Sequence, residues 1–152
     1  MGIFASNPAF VRAQIKRQLV PGAVIKLIEM MDDGRLHEKR FVVLAVSETS
    51  ICCVINSQIA PYIQSRPHML QCQVAMPVNE HAFMSHDSHI DCSKVKTFTT
   101  DRVIKDLSEK PAWVLGKISL EVRDQMVSAL KFAPTNSVKE AENFCAELAA
   151  IS

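Results

Sequence analysis

Lys39–Gln58 reads KRFVVLAVSETSICCVINSQ, and the fold turns on it. It holds two apolar runs, Phe41–Val46 and Ile51–Ile55, joined by a short polar turn. Val, Ile, Phe and Cys dominate both, and runs this short suit buried strands better than helices. The turn Ser47-Glu48-Thr49-Ser50 has no Gly, so the spacing predicts a four-residue connection rather than a primed two-residue one. Arg40 opens the first run, and Asn56, Ser57 and Gln58 close the second. An antiparallel pairing sets those ends side by side, with a cation beside a hydroxyl on an apolar scaffold.

Around this pair the chain reads as short elements. Ser6-Asn7-Pro8 is a helix start, followed by an apolar stripe of Phe10, Val11, Ile15 and Leu19. Pro21-Gly22 ends that helix, and Ala23–Glu29 reads as a strand. Asp32-Asp33-Gly34 is a turn, and Arg35 to Lys39 a polar lead into the central pair. Leu70, Cys72, Val74 and Met76 alternate with Gln71, Gln73 and Ala75, as in a half-buried strand. Ile90–Cys92 and Trp113–Ile118 are two further short strands, with Gly116 allowing a bend. Thr100 and Asp101 are placed to cap a helix through Leu107. Ser119 opens another helix, with Val122, Met126, Val127 and Leu130 on one face. Pro134-Thr135-Asn136 is a linker, and Ser137-Val138-Lys139-Glu140 has capping-box spacing before a last helix to about Ala150. This order of helix, about six strands and two helices predicts an α+β chain: a small, strongly bent antiparallel sheet or barrel with helices packed on it.

The 152 residues suggest a single domain, and 48% hydrophobic content provides for a real core. A net charge of +1 excludes nucleic-acid binding by bulk charge, so any such contact uses a local patch. The apolar runs fall short of the about 18 residues that span a membrane. MGIFASNPAF lacks the pattern of a secretory signal. The five cysteines are Cys52, Cys53, Cys72, Cys92 and Cys145, an odd count with no C-x-x-C. That reads as reduced core thiols in a cytoplasmic protein.

Two places carry candidate chemistry. Glu80-His81 through His86-Asp87-Ser88-His89-Ile90-Asp91-Cys92 is dense in ligand types, and His86 and His89 with Asp91 or Cys92 could approach a metal. It has no H-E-x-x-H or paired-cysteine frame, so a polar loop entering a strand is the plainer account. Ser88 sits between His86 and His89 beside Asp87, yet triad members normally meet from separate elements. The second place is Arg40 with Ser57. A guanidinium grips two phosphate oxygens as a fork and stabilises charge in a phosphoryl transition state. Glu38 or His37 could accept a proton. On these residues alone, a solvated strand-end Arg and a turn Ser remain the alternative.

Pro21-Gly22-Ala23-Val24, then the Arg40-led strand and a strand closing on Ser57, resembles the PemK/MazF-like toxins of type II toxin–antitoxin pairs. HDSHIDCSKVKTFTTDRV and LGKISLEVRDQMVSALK are similar to that family's closing region. The likeness spans residues 20 to 131, leaving the first and last helices as extensions. It implies an SH3-like barrel of the CcdB/PemK type, usually a homodimer, with no metal and no cofactor. It implies an endoribonuclease that cuts single-stranded RNA by 2′-OH attack, leaves a cyclic phosphate and is inhibited by a partner antitoxin. Arg40 and Ser57 match the catalytic positions, and Arg35, Lys39 and Arg66 become candidates for RNA contact. The family usually has Pro after the Arg, where this chain has Phe41. The resemblance also recasts Ser88, Asp91 and Cys92 as barrel strand. A non-catalytic barrel binding protein or RNA is the alternative function.

Overall fold

The computed structural model describes residues 7–133 and 138–151. Helix α1 (Pro8–Gln18) starts where Asn7 Oδ1 accepts from the Ala9 and Phe10 N–H groups. Its buried side is Ile15, with Leu19 just beyond, while Phe10 stays exposed. Ser6 and the capping box at Ser137 lie outside the described residues.

Seven strands form one antiparallel sheet: β1 (Ala23–Met30), β2 (Leu36–Val46), β3 (Thr49–Asn56), β4 (Gln73–Met76), β5 (Ser88–Asp91), β6 (Lys96–Thr99) and β7 (Val114–Lys117). The order across it is β4-β5-β3-β2-β1-β7, with β6 also paired to β3. Strands β5 and β6 pair with opposite ends of β3, Ile55↔Ile90 and Ile51↔Thr97, so the sheet curls there.

Alternation along the central strands builds two cores. Val24, Val42, Leu44, Cys53, Ile55, Val74, Met76 and Ile90 face helices α5 (Leu120–Phe132) and α6 (Val138–Ala149). Ile25, Leu27, Phe41, Val43, Cys52 and Val54 face α1 and α4 (Thr100–Glu109). The adjacent Cys52 and Cys53 thus point to opposite sides. Cys52, Cys53, Cys72 and Cys92 are buried and Cys145 is half-buried, all as free thiols. Burial pushes the Cys52 thiol up, and contact with Cys92 followed by burial does the same for Cys53. Such thiols are unreactive core residues.

Several boundaries differ from the sequence reading. Residues 36–39 are strand, not a polar lead. The hairpin closes tightly at Met31–Arg35, where Met31 N–H donates to Arg35 O at 3.0 Å, so Met30 pairs with Leu36. The β2–β3 connection is shorter than four residues, because Val46 pairs with Ser50 and a register shift between Val43 and Ala45 absorbs the mismatch. Leu70 belongs to a short helix, α3 (Pro67–Leu70), which follows α2 (Pro61–Gln64). Each begins at a Pro whose fixed φ suits a first helical position. Strand β6 has the single apolar residue Phe98 and lacks the periodic signal. Trp113 falls in a 3₁₀ turn ahead of β7. Thr99 precedes α4 without a side-chain cap, and the Thr100 hydroxyl instead meets Ser50 Oγ at 2.8 Å. Ser119 Oγ does cap α5, accepting from Val122 N–H at 3.2 Å.

Arg102 ties α4 to the sheet: it reaches Glu29 and Asp106, both at 2.9 Å, and Ile28 O at 2.8 Å. Gly22 ends the first connection at φ +87°, and a Cβ there would lie 2.5 Å from Ile151 Cδ1. Its N–H donates to Val43 O and its carbonyl accepts from Ile118 N–H, so the backbone cannot move aside. Gly22→Ala is expected to cost about 1–3 kcal/mol through forced left-handed backbone and this clash, read as a lower midpoint in urea unfolding.

Candidate functional site

The sheet face that carries the first core runs past the last buried apolar residues before it ends. On β2 the core face proceeds Leu44, Val42, Arg40, Glu38, from buried to exposed. Arg40 therefore sits within β2 rather than at its start, at the rim where apolar packing gives out. It pairs with Lys26 on one side and Ile55 on the other. Ser57 follows the end of β3, one residue past Asn56. Asn56 pairs with His89 of β5, which brings the turn before β5 alongside.

The result is a cleft of about 160 Å³ lined by Glu38, Lys39, Arg40, Ile55, Ser57, Met84, His86 and Ser88. Arg40 and Ser57, the pair singled out by sequence, share it with Lys39 and Glu38. The other candidates stand apart. His37 is at the hairpin, where its Nε2 meets Asp33 Oδ2 at 2.7 Å. The Arg35 backbone N–H and then His37 hold the Asp33 carboxyl below its usual range. Arg35 is exposed at the same turn. Arg66 lies between α2 and α3, its guanidinium 5.9 Å from the Tyr62 ring.

Arg40 is the unusual member. It is half-buried, and its Nε is a buried donor with no hydrogen-bond partner among the described residues. Leaving a buried charged donor unpaired costs about 1–3 kcal/mol or more. Lys39 adds to the imbalance: among the described residues its ammonium bonds the neutral Asn56 Oδ1, at 2.9 Å, and burial lowers its pKa. Lys39 and Arg40 stand with the one carboxylate of Glu38 among the lining residues. An anion entering the cleft would satisfy the Arg40 Nε and favour the charged form of Lys39. Whole small-molecule ligands usually occupy about 300–1,000 Å³. A cleft this size suits a single group of a longer chain, such as a backbone phosphate.

The histidine-rich segment is divided among separate tasks. His81 is buried, its Nδ1–H donating to Pro77 O at 2.8 Å and its Nε2 accepting from Ser119 N–H at 3.1 Å. It fastens the loop to the start of α5. Asp91 accepts from Gln73 Nε2, Ser93 N–H and Ser93 Oγ, which fixes the end of β5. Asp87 caps Val78 N–H at 2.9 Å. Among the described residues, no three His, Cys, Asp or Glu side chains are grouped to hold a metal ion. From this segment Met84, His86 and Ser88 line the Arg40 cleft, and the two polar ones meet each other, Ser88 Oγ lying 3.2 Å from His86 Nδ1. Sequence reasoning, which treats the segment as scaffold, misses this pair. The usable signal is antiparallel pairing of residues 88–91 with the end of β3, which forces the preceding residues toward Ser57.

A larger groove, about 580 Å³, lies between Lys16, Leu19, Ser47, Glu48 and Asp101. Its carboxylates offset Lys16, and no orphaned polar atom points to a ligand there. No helix among the described residues is long and apolar enough to cross a membrane. No protein-family model matches the chain, and no curated protein matches it.

Proposed function

We propose that this chain is a PemK/MazF-like endoribonuclease, a toxin-type hydrolase that cleaves single-stranded RNA without a metal by 2′-OH attack on the adjacent phosphate. The observation that carries this reading is the buried, unpartnered Nε of Arg40, in a cleft that also holds Lys39 and Ser57. A buried guanidinium Nε without a partner is preorganised for charge that arrives with the ligand and grows in the transition state. Arg40 grips the non-bridging oxygens, Ser57 orients one of them, and Lys39 supplies the second positive charge. The SH3-like identity of the barrel, the homodimer, the inhibiting antitoxin and the cytoplasmic setting rest on the family resemblance.

The test is incubation of purified protein with mixed-sequence single-stranded RNA in EDTA. Cleavage to cyclic-phosphate ends, lost in Arg40→Ala, is the expected result. Intact RNA at high protein concentration overturns the enzyme reading and leaves a barrel that binds RNA or protein without cutting.

A further inference from the structure

His86 lines the cleft with an imidazole able to take a proton, and its role extends the ribonuclease reading on which it rests. Its Nδ1 lies 3.1 Å from the backbone carbonyl of Asp87 and 3.2 Å from Ser88 Oγ. A carbonyl only accepts, so Nδ1 carries the hydrogen. Ser88 Oγ is then free to donate to the His86 carbonyl, 3.4 Å away. Every contact in the turn is satisfied by this one arrangement. In the neutral ring this arrangement places the lone pair on Nε2, the nitrogen without a partner among the described residues.

The supports of that ring are firm. Ser88 is buried and opens β5, and Asp87 is held by Val78 N–H. Across the cleft stand Glu38, Lys39 and Arg40 of β2 and Ser57 after β3.

We propose that His86 Nε2 is the general base of the reaction, taking the proton from the ribose 2′-OH. The O2′–P bond forms as the P–O5′ bond breaks. The phosphate becomes a 2′,3′-cyclic diester, and the departing 5′ oxygen takes a proton from water in the open cleft. The imidazolium then returns its proton to solvent, so the step consumes nothing beyond the RNA. Glu38 remains on the rim as a charge partner for Lys39 and Arg40.

The test compares wild type, His86→Ala and His86→Asn on single-stranded RNA in EDTA. It also measures binding of a 2′-deoxy oligonucleotide, which lacks the nucleophile. Asn keeps a donor near the Asp87 carbonyl but has no base, so it controls for the shape of the turn. Both variants are expected to lose about 10²–10⁴-fold in cleavage rate. Both should bind the deoxy oligonucleotide as wild type does, and free imidazole should restore cleavage by His86→Ala. A variant rate equal to wild type overturns this assignment and leaves the ribonuclease reading standing. So does a loss that imidazole does not rescue and that tracks weakened binding. Absence of cleavage by wild type overturns both.

Discussion

Arg40→Met is expected to abolish RNA cleavage and to make the protein more stable. The two effects have one cause. In the free protein the guanidinium is half-buried, and its Nε has no partner among the described residues. Replacing it with an apolar chain of similar reach removes the unsatisfied donor and keeps the packing against Ile55. The gain should be about 1–2 kcal/mol, because replacing an unpaired buried polar group with a fitting apolar one relieves its desolvation cost. The loss in rate should be at least about 10²–10³-fold, the range for removing one preorganised donor to transition-state charge. Urea unfolding and gel-based cleavage measure the two sides. Ligand linkage gives a third readout. A 2′-deoxy oligonucleotide should raise the melting temperature of wild type and not of Arg40→Met, because only the former gains a bound anion. If the variant is less stable than wild type, Arg40 is a structural residue with a partner in the folded ensemble, and the orphaned donor cannot be the basis of the site.

This balance also explains what the sequence makes legible. Wherever a segment faces a core, its pattern tells its structure: Phe41–Leu44, Cys52–Ile55 and the Val122, Met126 and Leu130 face are buried as their apolar residues require. Where a segment leaves the core, the pattern fails. Residues 36–38 continue β2 into solvent, Leu36 being 65% exposed, and backbone pairing to β1 holds them as strand. Strand β6 is held by pairing with β3 and by the one buried ring of Phe98. The site follows the same rule. Arg40 and Ser57 are visible because each interrupts or ends an apolar run. His86 is not, since its meaning comes from a carbonyl one residue away and from the register that sets β5 beside β3. His37 looks equivalent to Glu38 in sequence, but it lies at the hairpin, where its ring meets Asp33.

Phe41→Ala should destabilise the fold more than Gly22→Ala does. Phe41 is fully buried on β2, facing α1 and α4, with its ring edge-on to Phe98 at 5.2 Å between centroids. Its neighbours Ile25, Val43, Val54 and Leu107 come from two further strands and a helix, so the site cannot collapse by moving one element. The expected cost is about 3–5 kcal/mol. For a chain of this length that lowers the melting temperature by on the order of 10 °C. Phe41→Pro, the residue the resembling family carries after its Arg, should not fold at all. Strand β2 is paired on both sides, to β1 and to β3, and proline would remove a ladder donor as well as the aromatic ring. Phe41 is thus demanded by this chain's second core, on the opposite face to Arg40. Activity tests the separation of the two faces. At a temperature where Phe41→Ala is still folded, its cleavage rate per folded molecule should equal that of wild type. A rate that falls further than the folded fraction would mean that the packing of Phe41 sets the position of Arg40, and the two faces of β2 would then act as one unit.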